Sequence, residues 1–155
     1  MKTLKISNSK KRILIDDKNF DLLSKFTWVV CGKGGSVKAN VLGKNNVSIA
    51  WLVLGQPPKG KEVDHINRNP LDNREINLRF CSKSQNQMNK GLQKNNTSGY
   101  KGVHKSKNRK RWKAELKHNG KRLYLGTYNT KEEAAKVYNE TAKKYYGEFA
   151  WLNPV

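Results

Sequence analysis

The chain has 155 residues, with 32 Lys plus Arg against 12 Asp plus Glu and a formal net charge of +20. That length allows one large domain or two small ones with modest cores. The charge excludes an ordinary near-neutral enzyme surface and points to a polyanionic partner, most commonly nucleic acid.

Acidic lipid is a poorer partner, because no long apolar run and no basic amphipathic helix of the membrane-surface type is visible. Two cysteines, Cys31 and Cys81, stand far apart without a Cys-x-x-Cys pair, so neither a zinc ribbon nor a disulfide framework is indicated and the expected compartment is reducing. The opening MKTLKISNSKKRILIDD lacks the apolar centre of a secretory signal, so an intracellular protein is expected. Cut after Lys90, the first part has 17 basic and 7 acidic residues, and the second has 15 and 5, leaving +10 on each. The polar stretch GLQKNNTSG, Gly91 to Gly99, has the composition of a linker. The expected division is therefore residues 1–90, a linker over 91–98, and a second domain over 99–155.

In chain order, RILID (Arg12 to Asp16) reads as a strand. DDKNFDLLSKF then places Phe20, Leu23 and Phe26 near helical spacing behind a possible Asp17 cap. WVV from Trp28, SVKANV from Ser36 and VSIAWLVL from Val47 are further apolar or alternating runs, separated by turns at Gly32-Lys33-Gly34-Gly35 and Gly43-Lys44-Asn45-Asn46. The glycine cluster lacks the Gly-Lys-Ser/Thr ending of a phosphate loop.

VDHI (Val63 to Ile66) and NLRFC (Asn77 to Cys81) read as two paired strands with Leu78 and Phe80 buried. The intervening NRNPLDNRE is rich in turn formers and has a possible single helical turn capped by Asp72. Ser82-Lys83-Ser84-Gln85 has the form of a capping box, so a helix from Ser82 carries Asn86 in its first turns. Strand, loop, strand and helix then bring Asp64, His65 and Asn86 toward one cleft.

Beyond the linker, a first strand is expected near Tyr100 to His104. RWKAELK (Arg111 to Lys117) alternates, with Trp112, Ala114 and Leu116 on one face and Arg111, Lys113, Glu115 and Lys117 on the other. His118-Asn119-Gly120 is a hairpin turn, after which Leu123 and Leu125 share one face and Arg122 and Tyr124 the other. Thr130-Lys131-Glu132-Glu133 is a second capping box, and Ala134, Ala135, Tyr138, Ala142 and Tyr145 line one side of its helix. The fold class expected is α+β, ending in a three-stranded antiparallel sheet packed on one helix. Gly99 to Leu123 holds ten basic residues and one acid, so the outward face of that sheet is a candidate for the major groove, with Arg reading base edges and Lys holding phosphates. By alternation Trp112 faces the core, but DNA contact by its ring stays open.

Asp64-His65, Asn77 and Asn86 resemble the His-Asn-Asn variant of the HNH nuclease motif, the beta-beta-alpha-metal fold of many phage and intron homing endonucleases. The likeness extends over roughly thirty residues, PPKGKEVDHINRNPLDNREINLRFCSKSQN, far more than a bare three-residue pattern. DDKNFDLLSKFTWVV also looks like the lead-in segment of such phage proteins. The resemblance implies a DNA endonuclease whose core is residues 61–90. An imidazole suits deprotonation of water, making His65 the expected base, while Asp64 and Asn86 suit a hard ion such as Mg2+ or Mn2+. By analogy, Asn77 orients the His65 ring, while Asn69 and Asn73 shape the loop. Many relatives carry a His-Arg pair where this chain has Ala50-Trp51, which removes one expected phosphate contact.

Gly99 to Asn153 resembles the plant Apetala/ethylene-response-factor DNA-binding domain, through Tyr100-Lys101-Gly102-Val103, Trp112-Lys113-Ala114-Glu115, Leu125-Gly126-Thr127-Tyr128 and Glu133-Ala134-Ala135. Lys101, His104 and Lys105 stand where that family has early arginines. The DNA-contacting set expected is Lys101, His104, Lys105, Arg109, Arg111, Lys113, Lys117, Arg122 and Tyr124. The resulting expectation is a homing-type, metal-dependent endonuclease of duplex DNA in the cytoplasm of a bacterial host, phage-encoded, acting as monomer or homodimer. A non-catalytic DNA-binding regulator retaining the HNH scaffold is the alternative. An RNA-processing role ranks below both, because no aromatic-rich single-strand reading motif is present.

Overall fold

Alternating apolar residues in KTLKI and RILI bury Leu4, Ile6, Ile13 and Ile15 on one side of an antiparallel hairpin, β1 (Lys2–Ile6) and β2 (Ser9–Ile15). In the computed structural model, which describes residues 1–32, 34–107 and 110–155, the chain divides into two compact units, Met1–Asn86 and Gln87–Val155. The class is mixed α and β, with small antiparallel sheets.

In the first unit, the expected Phe20 to Phe26 helix shrinks to a 3-10 turn, Asp17–Asn19, running into α1 (Phe20–Leu23). Asp17 caps nothing. Its carboxylate pairs with the Met1 amine at 2.7 Å, so charge neutralisation displaces the cap. β3 (Val29–Cys31), β4 (Ser36–Val41) and β5 (Lys44–Ser48) form a sheet with β4 in the middle. Lys33, in the glycine-rich turn, lies outside the described residues. The run from Val47 is not one extended segment: after Ser48 it becomes α2 (Ile49–Leu54), with Ile49 and Ala50 buried. Trp28 sits among Leu4, Ile13, Ile15, Leu23, Val37 and Ile49, and its indole N–H donates to the Leu23 carbonyl at 2.8 Å, so its burial strands no donor.

β6 (Lys61–His65) pairs antiparallel with β7 (Leu78–Ser82), and α3 (Lys83–Asn89) follows. Its capping box is present: Gln85 N–H donates to Ser82 Oγ at 3.2 Å and Ser82 N–H to Gln85 Oε1 at 2.8 Å. Leu78 and Cys81 are buried, but Phe80 is 38% exposed. The two-stranded sheet leaves that ring only partly covered, which corrects the sequence expectation. The single helical turn of the loop is a 3-10 turn, Glu75–Asn77, without a side-chain cap, because Asp72 is committed to Arg74.

In the second unit β8 (Val103–Lys105), β9 (Trp112–His118) and β10 (Lys121–Tyr128) form a sheet with β9 central, and α4 (Lys131–Tyr146) packs on it. Asn119 and Gly120 both have positive φ, 48° and 78°, as a two-residue hairpin turn matched to strand twist requires. Ala114 and Leu116 meet Ala134, Ala135, Tyr138 and Ala142 across the two layers. Thr130 and Glu133 form the capping box at the start of α4. At its end, Tyr146 rather than Tyr145 is buried: the stripe through Tyr138 and Ala142 continues at a spacing of four, and Tyr145 instead sets its ring against His118. Gly102 admits no side chain, since an added Cβ would lie 2.2 Å from the Tyr138 ring and 2.6 Å from the Glu115 carbonyl.

Candidate functional site

The loop between β6 and β7 is built by its own side-chain amides. Asn67 Oδ1 accepts from Asn69 N–H at 2.8 Å and Asn69 Oδ1 from Leu71 N–H at 3.1 Å, two successive Asx turns. Asp72, 2% exposed, receives Arg74 Nε and Nη2 at 2.7 and 2.6 Å and Asn67 Nδ2 at 2.8 Å. The Arg74 hydrogen bonds hold the Asp72 carboxyl below its ordinary range, although burial opposes them. The loop is therefore braced around a carboxylate that remains charged.

Asn77 belongs to this bracing. Its Oδ1 accepts from Asn67 N–H at 2.9 Å and its Nδ2 donates to the Asp72 carbonyl at 2.7 Å, closing the loop at its base. Asn77 was expected at the His65 ring, and the residue found there is Asn73. Asn73 is fully buried; its Nδ2 donates to the Pro70 carbonyl at 3.0 Å, which turns Oδ1 toward His65 Nε2, also at 3.0 Å. An amide oxygen only accepts, so Nε2 carries a proton, and in the neutral ring Nδ1 carries the lone pair. Both amides use their nitrogen as donor and their oxygen as acceptor, and burial makes each contact costly to lose.

Asp64 lies on β6 beside His65 and is 6% exposed; Arg79, opposite it on β7, places Nε and Nη2 each 3.0 Å from Oδ2. Asn86 on α3 donates Nδ2 to Glu62 Oε2 at 2.7 Å, which directs its carbonyl oxygen away from Glu62. Glu62 and Asp64 are two residues apart on one strand, so they share a face. Among the described residues, no three His, Cys, Asp or Glu side chains form a closed metal cluster. The donor set of a carboxylate and an amide oxygen nevertheless suits a small hard ion, which takes its remaining ligands from water and phosphate. Sequence reasoning missed Asn73 as the ring partner, along with Arg79 and Glu62. The two alternating positions of β6 and their cross-strand partners were the signal available. Ala50 and Trp51 lie on α2, Ala50 facing the core and Trp51 40% exposed.

On the second unit's sheet, His104, Arg111, Lys117, Arg122 and Tyr124 are exposed on the outward side, Tyr124 to 61%, whereas Lys105 is exposed but shares the Val103 and Trp112 side of the strands. Glu115, the only acid there, is bonded to the Lys113 ammonium and lies 3.4 Å from His104 Nε2 and 3.8 Å from Arg122 Nη1. The Lys113 hydrogen bond keeps the Glu115 carboxyl below its usual range. Lys113 Nζ also stands 5.2 Å from the Tyr124 ring centre. Lys101 does not join this face: its ammonium is bound by the carbonyls of Met88 and Lys90 at 2.6 and 2.5 Å. Arg109 lies outside the described residues. Trp112 packs half-buried against the Val103–Ala114 cluster, and Lys105 Nζ lies 4.1 Å over its ring. The core reading of Trp112 therefore holds in part, with one ring face taking a cation.

Residues 47–88 match the HNH endonuclease family and residues 98–148 match the AP2 domain. An uncharacterised HNH endonuclease of Acanthamoeba polyphaga mimivirus is 35% identical over 138 residues, covering 86% of this chain and 70% of the relative. Protein 3.8 of Escherichia phage T7 is 36% identical over 107 residues, 69% of this chain and 88% of that protein. Dehydration-responsive element-binding protein 2D of Arabidopsis thaliana is 42% identical over 66 residues, 41% of this chain and 32% of the plant protein. No described helix is long and apolar enough to cross a membrane. With its amide-braced loop between two strands and its basic sheet on one helix, the chain belongs to the HNH endonuclease family and carries a C-terminal AP2 DNA-binding domain.

Proposed function

We propose that the protein is a metal-dependent endonuclease of the homing type that hydrolyses phosphodiester bonds of duplex DNA, with residues 61–90 cutting and residues 99–153 holding the target. The observation that carries the reading is the His65 imidazole held at Nε2 by the Asn73 amide oxygen, an arrangement that in the neutral ring assigns the lone pair to Nδ1. His65 Nδ1 takes a proton from water as the water oxygen attacks phosphorus. The bond from phosphorus to the leaving oxygen breaks, and that oxygen gains a proton from solvent. Asp64 and the Asn86 amide oxygen are assigned to a divalent ion, Mg2+ or Mn2+, which when bound supplies positive charge at the phosphate and leaving oxygen. Arg79 orients Asp64 for that task.

The outward residues His104, Arg111, Lys113, Lys117, Arg122 and Tyr124, with Lys105 exposed at the sheet edge beside Trp112, form the surface assigned to the duplex. A phage origin, with the bacterial cytoplasm as the place of action, has the support of the T7 relative. A single site of this kind nicks one strand per event, and a homodimer would break both.

The test is conversion of supercoiled plasmid and phage DNA to open-circular or linear form at low salt with Mg2+ or Mn2+. The native chain should cut. His65→Ala should bind equally and cut at least ~100-fold more slowly, the range for losing a general base. Tight binding by both proteins without cutting would instead favour a DNA-binding regulator that retains the nuclease scaffold.

A further inference from the structure

The HNH match begins at residue 47, yet the loop that carries Asn73 is tied to the chain far upstream of it. Leu14 sits on β2 opposite Thr3 of β1, and both its backbone groups turn away from that hairpin. Its N–H donates to the Leu71 carbonyl at 2.8 Å, and its carbonyl accepts from Asn73 N–H at 2.9 Å, giving a short parallel bridge across Asp72. Just beyond, Glu75 N–H donates to Asp16 Oδ2 at 2.8 Å. Lys18 Nζ reaches Glu75 Oε2 at 2.7 Å, and Asn19 Nδ2 reaches Oε1 at 3.4 Å. One strand edge and the turn after it thus grip both sides of Asn73.

Asn73 has little freedom left. Its backbone N–H is on β2, its Nδ2 on Pro70 and its Oδ1 on His65, and the residue is wholly buried. A shift of the β2 edge therefore moves the amide oxygen against the imidazole directly. Within Asn73, only the bonds N–Cα, Cα–Cβ, Cβ–Cγ and Cγ–Oδ1 separate the nitrogen gripped by β2 from the oxygen that meets the ring.

We propose that Leu14 to Asn19 are a working part of the nuclease unit: the β2 edge positions Asn73, and Asn73 sets the tautomer and orientation of His65. Asn73 is a positioning residue, as are the groups that hold it, and the side chain of Asp16 can be changed without touching the core. The proposal rests on the nuclease reading for its consequence in cleavage, but the tautomer it assigns to His65 does not require that reading.

The test uses the full chain and two measurements. Long-range 1H–15N correlation of the three histidines, at about pH 8 where imidazole is neutral, reads the tautomer without DNA. Single-turnover cleavage and DNA affinity, measured separately, read the consequence. The native His65 should be the Nε2–H tautomer. Asn73→Ala should give a mixture of tautomers and a rate lower by ~100-fold, and Asp16→Ala a smaller loss of ~10-fold, both with DNA affinity within about twofold of native. Asp16→Asn, whose amide oxygen still accepts from Glu75 N–H, should restore the rate. If Asn73→Ala does not fold, the Asp16 variants decide alone. A native tautomer in Asn73→Ala, or a native rate and tautomer in Asp16→Ala, would overturn the proposal. A native chain that cuts no DNA yet shows the Nε2–H tautomer, lost in Asn73→Ala, would sink the nuclease reading and leave the positioning in place.

Discussion

The two units reach order by opposite routes. The C-terminal sheet is made of neighbours in sequence: β9 and β10 are joined by two residues, and their alternating side chains meet one helix. The loop between β6 and β7 is made of polar groups, and its supports come from β2, from Asp16 and from Asn77, widely separated along the chain. Apolar burial is forgiving of small displacements, because it scales with area and has no direction. A buried amide network is not, because each unmade bond leaves a desolvated donor or acceptor. The binding unit should therefore fail mainly by steric insult, and the loop mainly by loss of single hydrogen bonds.

The largest expected effect on stability follows from crowding the sheet. Gly102→Ala puts a methyl group into the Tyr138 ring at a backbone φ of +72°, and should destabilise the second unit by about 3 kcal/mol, combining left-handed strain with overpacking. Urea unfolding monitored by fluorescence should show that loss along with weakened DNA retention. An unchanged midpoint would mean that α4 has room to yield, and the contrast with the loop would collapse.

Next comes Asn77→Ala, which strands the Asn67 N–H and the Asp72 carbonyl and should cost about 2 kcal/mol. If Asn77 acts only as a brace, cleavage and stability should fall together, and the His65 tautomer should survive in the molecules that remain folded. A stable protein that had lost only cleavage would return Asn77 to the His65 ring and reverse its assignment here.

The smallest effect is expected from acid. Asp72, held low by Arg74, binds protons less readily in the folded chain than in the unfolded one, so its contribution is complete above the ordinary aspartate value near 3.8 and is lost as pH falls through the lower folded value. Glu75, held low by Lys18, acts in the same direction. Melting of the native chain should thus be flat near neutrality and decline below about pH 4. Asp72→Asn should flatten that decline. An equal decline in the variant would assign it to other carboxylates.

The sequence was most legible where structure is local. Alternation in RWKAELK, the Asn119-Gly120 turn and two capping boxes all concern residues within a few positions of each other, and each formed as read. The nuclease unit's strand, strand and helix order was equally readable. What escaped was decided by distant partners. β1 was not read, because Lys2 and Lys5 mask the pattern of Leu4 and Ile6, and only pairing with β2 makes it a strand. Phe80 was placed inside on alternation alone, which cannot show how far neighbouring elements cover it. Lys101 looked like one more surface cation, but two backbone carbonyls claim it. Asn73 and Asn77 are chemically identical and four positions apart, so the pairing of Asn73 rather than Asn77 with His65 is set by Pro70 and Leu14, which no motif records.

Glu115 gives the basic sheet a different property from charge alone. By drawing in Lys113, and standing near His104 and Arg122, it gathers three cationic or protonatable arms into one fan before any partner arrives. An untethered Lys or Arg side chain holds about 2 kcal/mol of rotamer entropy. Part of that freedom is surrendered when the sheet folds, so less remains to be lost at docking. A lone acid on a cationic surface thus acts as a spacer that keeps the arms apart and aimed, and its removal would make the surface more positive but less prepared.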